Sequence, residues 1–324
     1  MSIPRSDLRD AVEAHISGFQ FSGMSPTNLY EPISYLLQMK GKRIRPILTL
    51  LAYEAVSGRP PAEALNVGCS LELFHNFTLM HDDIMDRAPV RRGQPTVHKV
   101  WDENIAILSG DALFAFSMGL MVKDFPEKAS MLGAEYARVA MEVCEGQMED
   151  MDLATLEEAE IPAYIEMIRK KTAVLLGGCM SMGAMAAGAS PDLIEKFRLF
   201  GEYLGIGFQL QDDLMDAFPP EGFGKQIGGD IIEGKKTFLL LTARADGSVA
   251  HNRDLDQLLS DETTEADRVT GVLQIFQDLD IDSKTKDQIR LYYEQAGALA
   301  TELDELVSFD RIRAYLEEIF KRKI

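Results

Sequence analysis

The chain has 324 residues, 46% of them hydrophobic and 8% aromatic, which is enough for a sizeable core in one or two domains. Its 33 Lys and Arg stand against 52 Asp and Glu, a net charge of −19 that argues against nucleic acid and anionic membrane surfaces as partners. Cys69, Cys144 and Cys179 lie far apart in apolar, helix-like contexts, so they predict neither a disulfide framework nor a zinc knuckle. With no signal-peptide core in Met1–Asp7, the expected location is the cytoplasm.

Nearly every segment has helical periodicity and no run alternates like a strand. Helices are predicted over 5–20 and 28–39, from Pro46 to about Ser57, and from Pro60-Pro61 to Asp86. Arg87–Thr96 is a basic loop with Pro89, Gly93 and Pro95. Helices follow over 103–122, 126–150 and 161–187, and Ser190-Pro191-Asp192 caps one that runs to Asp216. Ala217–Gly229, with two Pro and four Gly, is a candidate flap, and further helices are expected over 234–245, 253–260, 263–279, 282–307 and 309–322. No low-complexity linker interrupts the series, so 1–324 is expected to be a single all-α domain. The 20 residues Thr172–Pro191 carry no charge, but their Gly, Ala and Ser predict a buried central helix rather than a membrane span. No integral membrane association is expected.

The chain is organised around His81-Asp82-Asp83-Ile84-Met85-Asp86 and its near-copy Gln211-Asp212-Asp213-Leu214-Met215-Asp216, 130 residues on. Each ends an apolar helix and precedes a loop with Gly, Pro and basic residues. On a helix, i and i+4 share a face, so Asp82 aligns with Asp86 and Asp212 with Asp216. Like charges at that spacing repel, and carboxylates converging without His or Cys suit a hard cation such as Mg²⁺, shared with substrate phosphates. Gly41-Lys42-Arg43-Ile44-Arg45-Pro46 sets a basic cluster at a loop-to-helix junction, a common anion site. Arg91-Arg92-Gly93 follows the first acidic motif, and Lys171-Thr172, Lys225, Lys235 and Lys236 supply further cations. Cations beside carboxylate triads in so acidic a protein point to metal plus polyphosphate.

In this combination and order the motifs resemble the trans-polyprenyl diphosphate synthases, which include farnesyl and geranylgeranyl diphosphate synthases. The resemblance covers roughly 36–240. It implies a homodimeric bundle of α-helices of the isoprenoid synthase type around a deep apolar cleft. About three Mg²⁺ ions would bridge the two acidic motifs and an allylic diphosphate. By the same resemblance Asp82, Asp86 and Asp212 bind metal, with Asp83, Asp213 and Asp216 supporting them. Arg91, Lys171 and Lys235 hold the allylic diphosphate with Lys225 nearby. Lys42, Arg45, His75 and Arg92 hold isopentenyl diphosphate, and Thr172 and Gln209 face the developing cation. The chemistry joins isopentenyl diphosphate to C5, C10 or C15 allylic diphosphates by ionisation, condensation and elimination, which needs charge neutralisation and dryness but no side-chain nucleophile.

Chain length should be set on the helix leading into Asp82, by Phe77 and Thr78 with Phe74 further back and Leu71 beyond it. Phe77 followed by the smaller Thr78, with no insertion in the motif, resembles one class of C20 synthases. Geranylgeranyl diphosphate is therefore the favoured product and farnesyl diphosphate the alternative. Of the rival readings, a terpene cyclase has no need of the Gly41–Pro46 cluster. An HD-type phosphohydrolase needs more His than His15, His75, His98 and His251 provide, unsuitably spaced as they are. A non-catalytic synthase subunit would be expected to have degraded acidic motifs, whereas both are intact here. The basic Lys321-Arg322-Lys323 suits a helix C-terminus or a tail closing over the homoallylic diphosphate.

Overall fold

The structure is a computed structural model, and it describes residues 5–156, 159–220, 227–260 and 262–321. In chain order the helices are α1 (Arg5–Ser17), α2 (Thr27–Gln38), α3 (Ile44–Ser57), α4 (Leu65–Met85), α5 (Val97–Val100), α6 (Glu103–Met121), α7 (Ala129–Thr155), α8 (Ile161–Ile168), α9 (Val174–Ala187) and α10 (Pro191–Ala217). They continue as α11 (Gly229–Ile232), α12 (Phe238–Asp246), α13 (Val249–Leu258), α14 (Glu265–Asp278), α15 (Ile281–Asp304) and α16 (Asp310–Lys321). The fold is all-α, as the periodicity predicts. The departures from expectation are local. A hairpin of β1 (Val90–Arg91) and β2 (Gln94–Pro95) sits in the basic loop, where no strand was expected. Pro61–Ala64 forms a 3₁₀ turn before α4, and α12 starts only at Phe238. A five-residue π stretch, Arg169–Ala173, interrupts the helix expected over 161–187.

Two compact units emerge. The first comprises Met1–Ala137, Gly178–Phe197 and Leu306–Ala314. Its centre is α4, whose residues from Asn66 to Phe74 are buried on every side and, Asn66 and Glu72 apart, are apolar or small. Glycines let neighbours approach: a Cβ on Gly68 would lie 3.1 Å from the Pro46 carbonyl oxygen, and one on Gly110 of α6 would lie 2.3 Å from His81 Nε2. The buried Arg43 donates to Glu13 (Nε, 3.0 Å), Glu72 (Nη1, 2.8 Å) and the Leu37 carbonyl (Nη2, 3.2 Å), tying α1 and α4 to the start of α3. A buried ion pair persists only when its remaining donors are satisfied in this way.

The second unit comprises Arg138–Gly177, Arg198–Glu305 and Tyr315–Ile324. Its core joins Ile168, Leu210, Leu239, Val272, Phe276 and Ile289. Here α10 runs against the π stretch and the first turn of α9 through small residues. A Cβ on Gly201 would lie 2.6 Å from the Leu176 carbonyl oxygen, and one on Gly205 would lie 2.5 Å from Ala173 Cα. The uncharged stretch is the buried helix that its small residues predict, with residues 173–186 buried throughout.

Because the atom facing Gly205 is backbone, Gly205→Ala should destabilise by about 1–3 kcal/mol or more, as overpacking of a close contact does. Gly297→Ala, in the open interior of α15, should be neutral or stabilise by up to about 1 kcal/mol. Urea midpoints of the two variants check this, and equal midpoints would contradict the close approach at Gly205.

Candidate functional site

In the first unit the end of α4, the β1–β2 hairpin and the start of α3 bring their charges together. Arg92 and Gly93 occupy the two central positions of the hairpin, both with positive φ (52° and 76°), as a type I′ turn requires. The turn sends the two arginines separate ways. Arg91 grips the buried Asp83 with both Nε (2.8 and 2.9 Å) and Nη2 (2.7 Å), while Arg92 Nη1 donates to the Met39 carbonyl at 3.3 Å. Asp83 is thus an internal anchor, and burial raises its pKa despite the arginine. Asp82 is half-buried and Asp86 exposed, on the shared face that the spacing predicts.

Around His75 the charge is strongly positive. Burial, and then Arg45, Arg92, Arg91 and Arg43, hold its imidazole well below the usual histidine value, so it is neutral. Burial likewise lowers Arg45, whose Nε is buried without a hydrogen-bond partner. Lys42, exposed nearby in sequence, adds to a cluster of cations of the kind that anion sites use. The basic motif divides its labour: Arg43 is consumed by Glu13 and Glu72, whereas Arg45 keeps a donor in reserve.

On the same helix Phe77 packs its ring against Phe74 (5.7 Å), His81 (4.7 Å) and Phe114 of α6 (5.1 Å). Tyr136 closes the layer at 5.9 Å from Phe114 and 5.5 Å from Phe74. Thr78 turns its hydroxyl to the His75 carbonyl, 2.9 Å away.

The second unit holds a cavity of about 290 Å³, lined by Lys171, Thr172, Gln209, Asp212, Asp213, Asp216 and Lys235, all expected from sequence. Asp150, Tyr164 and Asp230 line it too, and no role was assigned to them. Asp150 lies in an acidic run, Tyr164 is a lone aromatic on an apolar helix, and Asp230 follows Gly228-Gly229 at the end of the expected flap. The π stretch sorts its side chains: Arg169 and Lys170 turn to Glu142, Glu166, Glu145 and Glu149, while Lys171 and Thr172 line the cavity. Such one-turn bulges recur at functional sites. Gly146 of α7 makes room for this one, since a Cβ there would lie 2.3 Å from Lys171 N.

Both lysines are held by carboxylates, Lys171 by Asp150 (2.5 Å) and Lys235 by Glu233 (2.7 Å) and Asp230 (3.4 Å). Burial works against the charge of Lys235, but these partners raise its pKa overall, and burial raises that of Asp230. Lys236 instead donates to the Leu153, Ala154 and Leu156 carbonyls, stabilising the end of α7. Asp216 accepts from the amides of Gly229 (3.1 Å) and Asp230 (3.0 Å), fixing α11 to α10. Asp213 is fully enclosed; burial pushes it up to about 7, and hydrogen bonds from Tyr164 and Gln209 pull the other way. Lys225 and the centre of the expected flap lie outside the described residues, as do Arg322 and Lys323 and the Lys321 side chain.

Among the described residues no three His, Cys, Asp or Glu side chains already form a metal cage. The donors present in each unit, Asp82 and Asp86 in the first and Asp212, Asp216 and Asp230 in the second, are carboxylates. Each group taken by itself is of the kind that suits Mg²⁺, which keeps several waters and completes its shell with substrate phosphates.

A family model described as polyprenyl synthetase matches residues 26–276. A geranylgeranyl diphosphate synthase of Methanosarcina mazei is 42% identical over 67% of this chain and 68% of its own. A geranylfarnesyl diphosphate synthase of Natronomonas pharaonis is 34% identical over 84% of this chain and 83% of its own. A crystal structure of a geranylgeranyl pyrophosphate synthase superposes with a TM-score of 0.87 at 37% identity, covering 93% of both chains.

His75 should give no ring titration in NMR spectra as pH falls from 8 to about 6. Its folded pKa is depressed, so the unfolded chain takes up this proton first, and its contribution to stability declines as pH drops below about 6.5. A ring that titrates at the ordinary value would contradict the cationic enclosure.

Proposed function

Since the chain belongs to the polyprenyl synthetase family, we propose that it makes geranylgeranyl diphosphate as its main product. It is a short-chain trans-prenyl diphosphate synthase, a prenyltransferase that joins isopentenyl diphosphate to allylic diphosphates. The observation that carries the site assignment is the cavity in which Lys171 and Lys235 stand beside Asp212, Asp216 and Asp230.

In this reading Arg91, Lys171 and Lys235, with Lys225, hold the allylic diphosphate, and Lys42, Arg45, His75 and Arg92 hold isopentenyl diphosphate. Neutral His75 offers one N–H donor without adding charge to a crowded cationic cluster. Asp82, Asp86, Asp212 and Asp216 are the oxygen ligands for about three Mg²⁺, with Asp213 behind them. When bound, Mg²⁺ supplies positive charge against the diphosphate. As the carbon–oxygen bond breaks, the lysines and Arg91 neutralise the charge gathering on the leaving group. The Thr172 hydroxyl and Gln209 amide oxygens face the allylic cation, and the apolar walls keep water from it. The double bond of isopentenyl diphosphate then forms the new carbon–carbon bond, and a proton passes to the released diphosphate.

The C20 assignment rests on Phe77, backed by Phe74, Phe114 and Tyr136 as an aromatic floor, with the smaller Thr78 beside it. The Natronomonas pharaonis relative makes C25 the reading to test against, and C15 remains the shorter alternative.

Two helices support a homodimer, and in this reading the protein works in the cytoplasm. On α6, the described helix apolar and long enough to cross a membrane (mean hydropathy 1.4), Ile107, Leu108, Phe116 and Met118 are exposed. On α7, Met141, Met148 and Met151 form an exposed stripe at helical spacing. Apolar faces of this extent mark an interface.

Purified protein supplied with isopentenyl diphosphate and C5, C10 or C15 primers should give mainly C20, only with Mg²⁺ and not with chelator. It should sediment at about twice 36.1 kDa. Asp212→Asn should lower turnover by about a hundredfold or more, and Phe77→Ala should lengthen the product. A C15 or C25 main product would overturn the floor assignment alone, and no elongation from any primer would overturn the function.

A further inference from the structure

Four polar side chains of the second unit are linked in series beside the cavity. The Thr172 hydroxyl donates to Gln209 Oε1 at 3.1 Å, and Gln209 Nε2 donates to Asp213 Oδ1 at 3.0 Å. The Tyr164 phenol of α8 donates to the other Asp213 oxygen, Oδ2. All four line the cavity, and Tyr164 and Asp213 are buried, 3% and 6% exposed. We propose that Tyr164 is a positioning residue for the condensation, acting through Asp213 to aim the Gln209 amide oxygen into the site. This rests on the synthase reading above.

The argument is one of donor and acceptor supply. An amide has one end that accepts and one that donates, and its direction is set by its neighbours. In its ionised form Asp213 is acceptor-only, so it draws the Gln209 NH₂ toward itself and leaves Oε1 to accept from Thr172. Asp213 can do this only while its own carboxylate plane is fixed, because it lies i+4 from Gln209 on the same face of α10 and has no cationic partner among its hydrogen bonds. The phenol of Tyr164 supplies that fixation from a different helix. Both Asp213 oxygens are thereby occupied by side-chain donors from two different helices. A carbocation is stabilised by oxygen lone pairs and harmed by an inward N–H, so a reversed amide would oppose the reaction it now assists.

The test uses the full-length protein under the elongation assay, with wild type alongside. Tyr164→Phe should lower kcat by roughly ten- to a hundredfold, the worth of a hydrogen bond to a charged group. KM for isopentenyl diphosphate should stay within about twofold, since nothing in its binding cluster changes. Gln209→Leu should be slow as well, and the Tyr164→Phe/Gln209→Leu double variant should be no slower than Gln209→Leu alone, because the phenol acts through the amide. Wild-type kcat in Tyr164→Phe, or losses that multiply in the double variant, would overturn the proposal. Should Tyr164→Phe fail to fold, Asp213→Asn decides: it keeps the acceptor for Tyr164 but turns a donor toward Gln209. It should lower kcat at an unchanged Mg²⁺ requirement. Unchanged kcat, or a raised Mg²⁺ requirement marking Asp213 as a metal ligand, would overturn the proposal. Absence of elongation by wild type would instead sink the synthase reading itself.

Discussion

The proposed function depends on storing positive charge inside a protein of net charge −19. Lysines and arginines brought together for an anion repel one another and lose hydration, so each must be balanced until the anion arrives. The structure does this with carboxylates: Arg91 with Asp83, Lys171 with Asp150, Lys235 with Asp230 and Glu233. Where a carboxylate is out of reach the cost is visible. Arg45 retains an unpartnered Nε and a lowered pKa, and His75 stays neutral. Two modes of preparation therefore coexist: cations held in paired form, and Arg45 with a buried donor left over.

Backbone packing makes these pairs possible. Lys171 and Thr172 reach the cavity because the helix widens at Arg169–Ala173, and the bulge fits because Gly146 and Gly205 carry no side chain. Arg91 reaches Asp83 because Arg92-Gly93 turns the hairpin tightly enough to aim it back at α4. In both places a small residue on one element fixes the charge geometry of another, and the chemistry inherits its precision from the packing.

Much of this was legible in the sequence because its signals are local. Pro46, Pro191 and the Gly and Pro clusters punctuate the helices, and the i, i+4 spacing of the two acidic motifs places Asp82 with Asp86 and Asp212 with Asp216. What escaped depends on pairing across elements. Nothing near Asp150 says that it meets Lys171, nothing near Arg43 says that two glutamates consume it, and Lys236 differs from Lys235 only in meeting the carbonyls that end α7. The π stretch was hidden because its residues keep the helical pattern on both sides. Tyr164 and Phe114 read as ordinary core residues, and their roles come from the rings and carboxyl they touch.

If paired cations and carboxylates are exchanged for diphosphate and metal, the two ligands must help each other to bind. Calorimetric titration of Mg²⁺ into the protein, with and without an unreactive allylic thiolodiphosphate, measures that coupling directly. The account predicts that each ligand tightens the other by about tenfold or more, equally in both orders of addition. Affinities that are the same whether or not the other ligand is present would contradict it.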